Sequence, residues 1–198
     1  MKNILLTTSL ATLISASFIS DASADPFQGM YAGGHLGYER LNLNPKGTST
    51  CGKIVALGIN KVQNLVPFGI QAGISTMATP SFYLAAEAVM DFALKQNVQT
   101  YSPGLKGKAG FRASERVVIA ATAGGVLTNF QLKNPTTNKT LSQTKFGLSV
   151  GMEAIVAAND KNLVSLAYEY IKYNQAVFGV TTLRPTSYSI TLRYSYRF

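Results

Sequence analysis

Tryptophan is absent, and cysteine and histidine occur once each. The single thiol, Cys51, excludes an internal disulfide framework and any all-cysteine metal site. The lone His35 leaves no histidine cluster for zinc or haem, and no cofactor is expected. Charge is sparse at 14 % of residues against 46 % apolar ones, which excludes a disordered chain. Acidic residues are scarcer still, nine against eighteen basic ones, and the net charge of +9 fits an anionic surface or a nucleic acid. No apolar run long enough for a transmembrane helix occurs beyond the first two dozen residues.

Those first residues have their own logic. Lys2 is followed by a largely apolar stretch from Ile4 to Ile19, and then by the small residues Ala22, Ser23 and Ala24. This is the pattern of a secretory signal peptide, residues 1–24, cut after Ala24, which leaves 25–198 as one folded domain. The stretch is short and contains Ser and Thr, so it makes a poor membrane anchor. No cysteine follows the cut, so a lipoprotein signal is not expected.

Period-two alternation recurs in the rest of the chain, in blocks of about ten residues. The final block is the clearest. Tyr188, Ile190, Leu192, Tyr194, Tyr196 and Phe198 fall on one face, and Ser189, Thr191, Arg193, Ser195 and Arg197 on the other. The same pattern, one apolar face and one of Gly, Ser, Ala and charge, recurs near 30–39, 68–76, 82–91, 105–113, 117–128, 145–154 and 163–173. Eight strands are thus expected. The connections 42–67, 93–104, 129–143 and 174–187 read as long, and 77–81, 114–116 and 155–162 as short, with Pro80 and Asn159-Asp160 supplying turn chemistry.

The expected fold is all-β: an eight-stranded antiparallel transmembrane barrel in an outer membrane, with long extracellular loops and both termini on the short-turn, periplasmic side. Hydrocarbon offers no water to an open strand edge, so the sheet must close. A soluble sandwich or lipocalin-like barrel would bury the apolar face instead. Small residues on the polar face and large aromatics near the strand ends of the apolar face argue against it.

The charges then sort themselves. Glu39, Glu87, Asp91, Glu153 and Glu169 fall on the inward face with His35, Lys106, Lys108, Arg112 and Arg193. Unpaired burial of charge is costly, so an interior network is expected. Placing Phe92 opposite Leu105 sets Asp91 across from Lys106, with Glu87 among Lys108, Gly110 and Arg112. The same arithmetic brings Glu169 to Arg193. An eight-stranded barrel is just wide enough for its own side chains, which makes this network a plug; a gated polar path for ions is the alternative.

The four long connections carry Lys46, Lys53, Lys61, Lys95, Lys133, Lys139 and Arg184 and no acid. Arg40 and Lys172 point outward near the same rim, where they can snorkel to lipid phosphates. Such a crown attracts phosphate or sulfate polymers at low salt, or simply balances a negative cell surface. The basic residues do not gather on one helix or groove, so a nucleic-acid partner is not expected. His35 is read as a packed interior residue, not a catalytic base, because a substrate has no way into a closed barrel.

Several segments resemble a known family. Gly29-Met30-Tyr31-Ala32-Gly33-Gly34-His35-Leu36-Gly37-Tyr38 is similar to the opening strand of OmpA-like or opacity-like surface barrels. Phe68-Gly69-Ile70-Gln71-Ala72-Gly73 resembles their second strand, Tyr168-Glu169-Tyr170 their seventh, and Tyr194-Ser195-Tyr196-Arg197-Phe198 their ending. The resemblance implies that the barrel assembly machinery reads Phe198 as an assembly signal. Outer-membrane lipids, including lipopolysaccharide or similar, are expected partners of such a barrel. It also implies surface-antigen, adhesin or immune-evasion roles carried by the loops; the expected function is a non-enzymatic surface barrel for envelope integrity that presents its basic loops for adhesion or host contact, to a host surface protein or an anionic glycan. Lipid-modifying relatives place a His-Ser pair near the chain's end; Ser189 and Ser195 have no histidine beside them here.

Overall fold

A computed structural model describes residues 25–43, 62–95, 98–133, 140–178 and 181–198. Eight strands close into an antiparallel barrel: β1 (Gly29–Asn42), β2 (Val62–Thr79), β3 (Phe82–Lys95), β4 (Val98–Ser114), β5 (Val117–Lys133), β6 (Thr140–Ala157), β7 (Asn162–Tyr173) and β10 (Thr186–Arg197). Each pairs with its neighbours in the chain, and β10 pairs with β1 to seal the sheet. The short β8 (Ala176–Phe178) and β9 (Thr181–Leu183) form a separate hairpin between β7 and β10. This is the all-β, closed eight-stranded architecture that the alternation implies.

Alternation becomes inside and outside. Leu105 is 71 % exposed and Leu148 63 %, whereas Lys106, Ser149 and Glu153 are buried. The large apolar side chains line the outside of the cylinder, the inverse of a soluble barrel. Gly29, at φ +127°, lets the chain turn from the barrel mouth into β1.

Three expectations change. The second long connection, 93–104, does not exist: β3 and β4 run on to pair Lys95 with Val98, with only 96–97 between them. Lys95 and Lys133, read as loop residues, belong to the backbone of β3 and β5. Phe92 pairs with Tyr101 and not with Leu105, a shift of four residues. An even shift keeps every side chain on its face, so the inward set is unchanged while its partners move.

Strand length explains the error. β2 and β6 have 18 residues each, and β4 and β5 have 17. A crossing needs only about 9–11. The excess lies at the end opposite the chain termini, and there the polarity of the alternation inverts. Arg40, Asn64, Gln131, Ser142, Thr144 and Lys172 are exposed on the outside, while Leu41, Leu65, Phe130, Ile171 and Tyr173 are buried inside. Beyond that level the cylinder has the greasy-in, polar-out pattern of a barrel standing in water.

Candidate functional site: a charged layer between two apolar layers

The interior has three levels. At the end bearing the termini, Phe27, Tyr83, Val118, Ala120, Ile155, Ala157 and Leu163 form an apolar cluster. The segment before β1 supplies Phe27, which is fully buried, sets its ring edge-on to Tyr83 at 6.4 Å and lies under the Arg112 guanidinium. Asp25 pairs with Arg112, and Arg197 donates to the backbone oxygens of Asp25 and Gln28. At the far end Leu41, Leu43, Leu65, Ala93, Val126, Phe130, Ile171, Tyr173 and Leu183 form a second cluster, with the Phe130 and Tyr173 rings 5.0 Å apart. The chain after β9 closes onto it: Pro185 is fully buried and its carbonyl accepts from the Tyr173 N–H.

Between them lies the charged layer. Glu87, whose side chain has no exposure, is its hub. Its two oxygens accept from Tyr31 Oη at 2.9 Å, Lys108 Nζ at 2.7 Å and Arg193 Nη1 at 2.8 Å, which ties β3 to β1, β4 and β10. Lys108 Nζ also sits 2.7 Å from Glu153, whose other oxygen accepts from Ser165. Glu87, Glu153, Lys108 and Arg193 thus make a neutral tetrad. One step toward the far end, Lys106 Nζ donates to Glu169 at 2.7 Å, His35 Nε2 pairs with Asp91, and Ser187 donates to Glu39. That upper group has three carboxylates against one lysine and one histidine.

Two pairings from the sequence are therefore corrected. Arg193 is not the partner of Glu169. Register sets Arg193 opposite Ser165 and Glu169 opposite Ser189, so the guanidinium crosses to Glu87 and Gln71 while Lys106 takes Glu169. Asp91 faces Ser102 and not Lys106, and pairs with His35 of β1. Arg112 leaves the Glu87 group entirely for Asp25 at the mouth.

Space for these long side chains comes from glycine. His35 pairs in register with Gly69, Tyr31 with Gly73, Lys106 with Gly124 and Glu169 with Gly151. A Cβ on Gly69 would lie 2.7 Å from His35 Nε2, and one on Gly73 2.7 Å from Tyr31 Oη. Sequence reasoning placed small residues on the inward face but did not use these glycines to set register.

The arrangement leaves little room for chemistry. The interior cavity beside Glu39, Asp91, Glu169 and Arg193 has about 30 Å³, the space of one water. Among the described residues no three His, Cys, Asp or Glu side chains converge as metal ligands do. Of the loop cations, Arg184 is exposed just before β10; Lys46, Lys53, Lys61 and Lys139, like Cys51, lie outside the described residues, and only the backbone of Lys95 and Lys133 lies within them. Phe198 is 75 % exposed and stacks edge-on with Tyr196 at 5.5 Å.

The family model described as "Outer membrane protein beta-barrel domain" matches residues 9–198. No curated protein matches the chain in sequence. Among solved structures, Neisserial surface protein A is similar at 14 % identity and a TM-score of 0.62, over 86 % of this chain and 97 % of that one. The Yersinia pestis attachment invasion locus protein Ail is similar at 12 % identity and 0.53, over 86 % and 99 %. The N-terminal β-barrel domain of Pseudomonas aeruginosa OprF is similar at 10 % identity and 0.54, over 87 % and 99 %.

Proposed function

Since the chain belongs to the outer membrane protein beta-barrel domain family and resides in that membrane, we propose that it is a non-enzymatic surface barrel, of the OmpA-like or opacity-like kind, that stabilises the envelope and presents basic outer connections to anionic glycans or host surface proteins. The layered interior carries this reading. A charged layer capped by apolar clusters on both sides holds the walls together and leaves only the outer end free to meet a partner. Lys46, Lys53, Lys61 and Lys139 fall in the connections at that end, with the exposed Arg184. Ail, of similar fold, has been solved with the heparin analogue sucrose octasulfate, an anion of the class such loops attract.

A lipid-modifying enzyme finds no support: His35 is buried in the lumen on Asp91, out of reach of a lipid substrate. Cleavage of the leader after Ala24 fits a segment that enters the barrel mouth from Asp25 onward. Outer-membrane lipids and the barrel assembly machinery complete the set of partners, the latter reading Phe198.

The test is heparin affinity of the refolded barrel. Binding that weakens steeply between 50 mM and 500 mM salt is expected, and Lys46→Gln/Lys53→Gln/Lys61→Gln should lower it about tenfold or more. Equal binding by the triple variant would remove the loops from the function.

A further inference from the structure

The charged layer does not balance at both of its levels. The lower tetrad is neutral, but toward the outer end Glu39, Asp91 and Glu169 face only Lys106 and His35. With His35 counted as charged, one negative charge is left over; with His35 neutral, two are. The neighbouring cations do not supply the difference. Arg193 directs Nη1 to Glu87 and Gln71 and Nε to Thr191. Lys145, the next inward cation of β6, pairs in register with the buried Thr128 and forms no ion pair with any of the three carboxylates. An excess charge kept inside a barrel is costly unless something neutralises it.

The excess gathers around one space. Register sets Glu39 of β1, Ser189 of β10 and Glu169 of β7 side by side on the inner wall, so the serine stands between two carboxyls. These three, with Asp91 and Ser102 from β3 and β4, line the cavity of about 30 Å³. Glu169 carries the second sign of a ligand. Its side chain is nine-tenths buried, and Oε2 accepts from Lys106. Oε1 is enclosed too tightly for a water to reach it and accepts from none of the described donors. A buried carboxylate oxygen without a donor is costly, and it marks where a positive charge belongs.

We propose that this cavity binds a sodium ion, held by Glu169 Oε1, the Ser189 hydroxyl and Glu39, with Asp91 adding its charge from across the lumen. All of these donors are hard oxygens, and a bare sodium ion is smaller than the water that the cavity accommodates. A divalent ion fits less well. It draws on several charged oxygens at once, and among the described residues no three such groups converge on one point. Two positive charges would also overshoot an excess of one. The ion is taken up as the sheet closes, and the apolar clusters above and below then hold it. It completes the plug without opening a path, and it does not depend on what the outer connections bind.

The test starts from the chain refolded in radioactive sodium chloride and then desalted. Close to one ion per barrel should remain, because a lumen capped at both ends exchanges slowly. Urea unfolding at fixed ionic strength and pH, with sodium progressively replaced by choline, gives the second readout. Above half-saturation, each tenfold rise in sodium should raise the folding equilibrium constant about tenfold. Glu39→Gln removes one negative charge and still offers Ser187 an acceptor. It should weaken sodium retention at least about tenfold and flatten the sodium dependence. Ser189→Val fills the cavity, leaves the Lys106–Glu169 pair intact and should do the same. Asp160→Asn, at an exposed turn, should behave like the parent. Absence of retained sodium together with equal stability in sodium and choline would overturn the proposal. Stability that follows pH and ignores sodium would put a proton in the site and overturn it as well. So would an undiminished sodium dependence in either Glu39→Gln or Ser189→Val.

Discussion

Glu87 shows what a buried charge needs in order to persist. It has no contact with water and three donors from three other strands. Removing one member of such a group leaves another stranded, at a cost of about 3–5 kcal/mol, whereas apolar replacement of a whole pair can be neutral. Arg193→Leu should therefore lower the urea midpoint of the refolded barrel, and the coupling should identify the partner. A double-mutant cycle of Arg193→Leu with Glu87→Gln should give an interaction above about 1 kcal/mol, and one with Glu169→Gln close to zero. Strong coupling to Glu169 and none to Glu87 would contradict the geometry.

At the scale of the strand, β10 combines two kinds of information. Its inward row, Ser187 to Ser195, meets the lumen, and its outward row ends in Tyr194, Tyr196 and the exposed Phe198. Phe198→Ser removes exposed apolar area without touching the network. Slower assembly into vesicles with an unchanged unfolding midpoint is expected; normal assembly kinetics would show that the terminal ring is not what the machinery reads. Face was legible in the sequence because a period of two survives any even slip. Partner was not, because a slip of four at Phe92 moves Lys106 from Asp91 to Glu87 in register without changing which way either points. The missing signal was the pairing of bulk with glycine, His35 with Gly69 and Tyr31 with Gly73, since only one register seats each ring over a residue with no Cβ. The apolar end clusters were also hidden. Arg40 and Lys172 were visible as breaks in the pattern, but Leu41 and Ile171 beside them reveal that the whole pattern changes sign there.

For the molecule as a whole, the stacking of apolar, charged and apolar layers predicts a silent barrel. Planar-bilayer recordings of the refolded chain should show no steady openings, and defined openings in the parent protein would sink the plugged reading. The mouth near the termini is held by the Phe27 ring and the Asp25–Arg112 pair, a local closure that a substitution can release. In a Cys51→Ser background, Phe27→Ser with Asp25→Asn should admit small reagents to the lower part of the lumen, read as faster labelling of a cysteine placed at Ala120, while the far end stays shut.

The reversal of polarity along the strands has a mechanical meaning as well. Ribbons that cross the oil as a membrane protein continue above it as a small water-soluble cylinder, so β5 and β6 rise past Leu127 and Phe146 to Lys133 and Thr140 without a break in pairing. At the usual tilt those residues lift the tips roughly 15 Å clear of the lipid. The strand ends that bear the outer connections thus stand on a paired pedestal above the oil. The level at which those connections begin is set by the height of that post, so a surface coat has to rise past it before it can screen them.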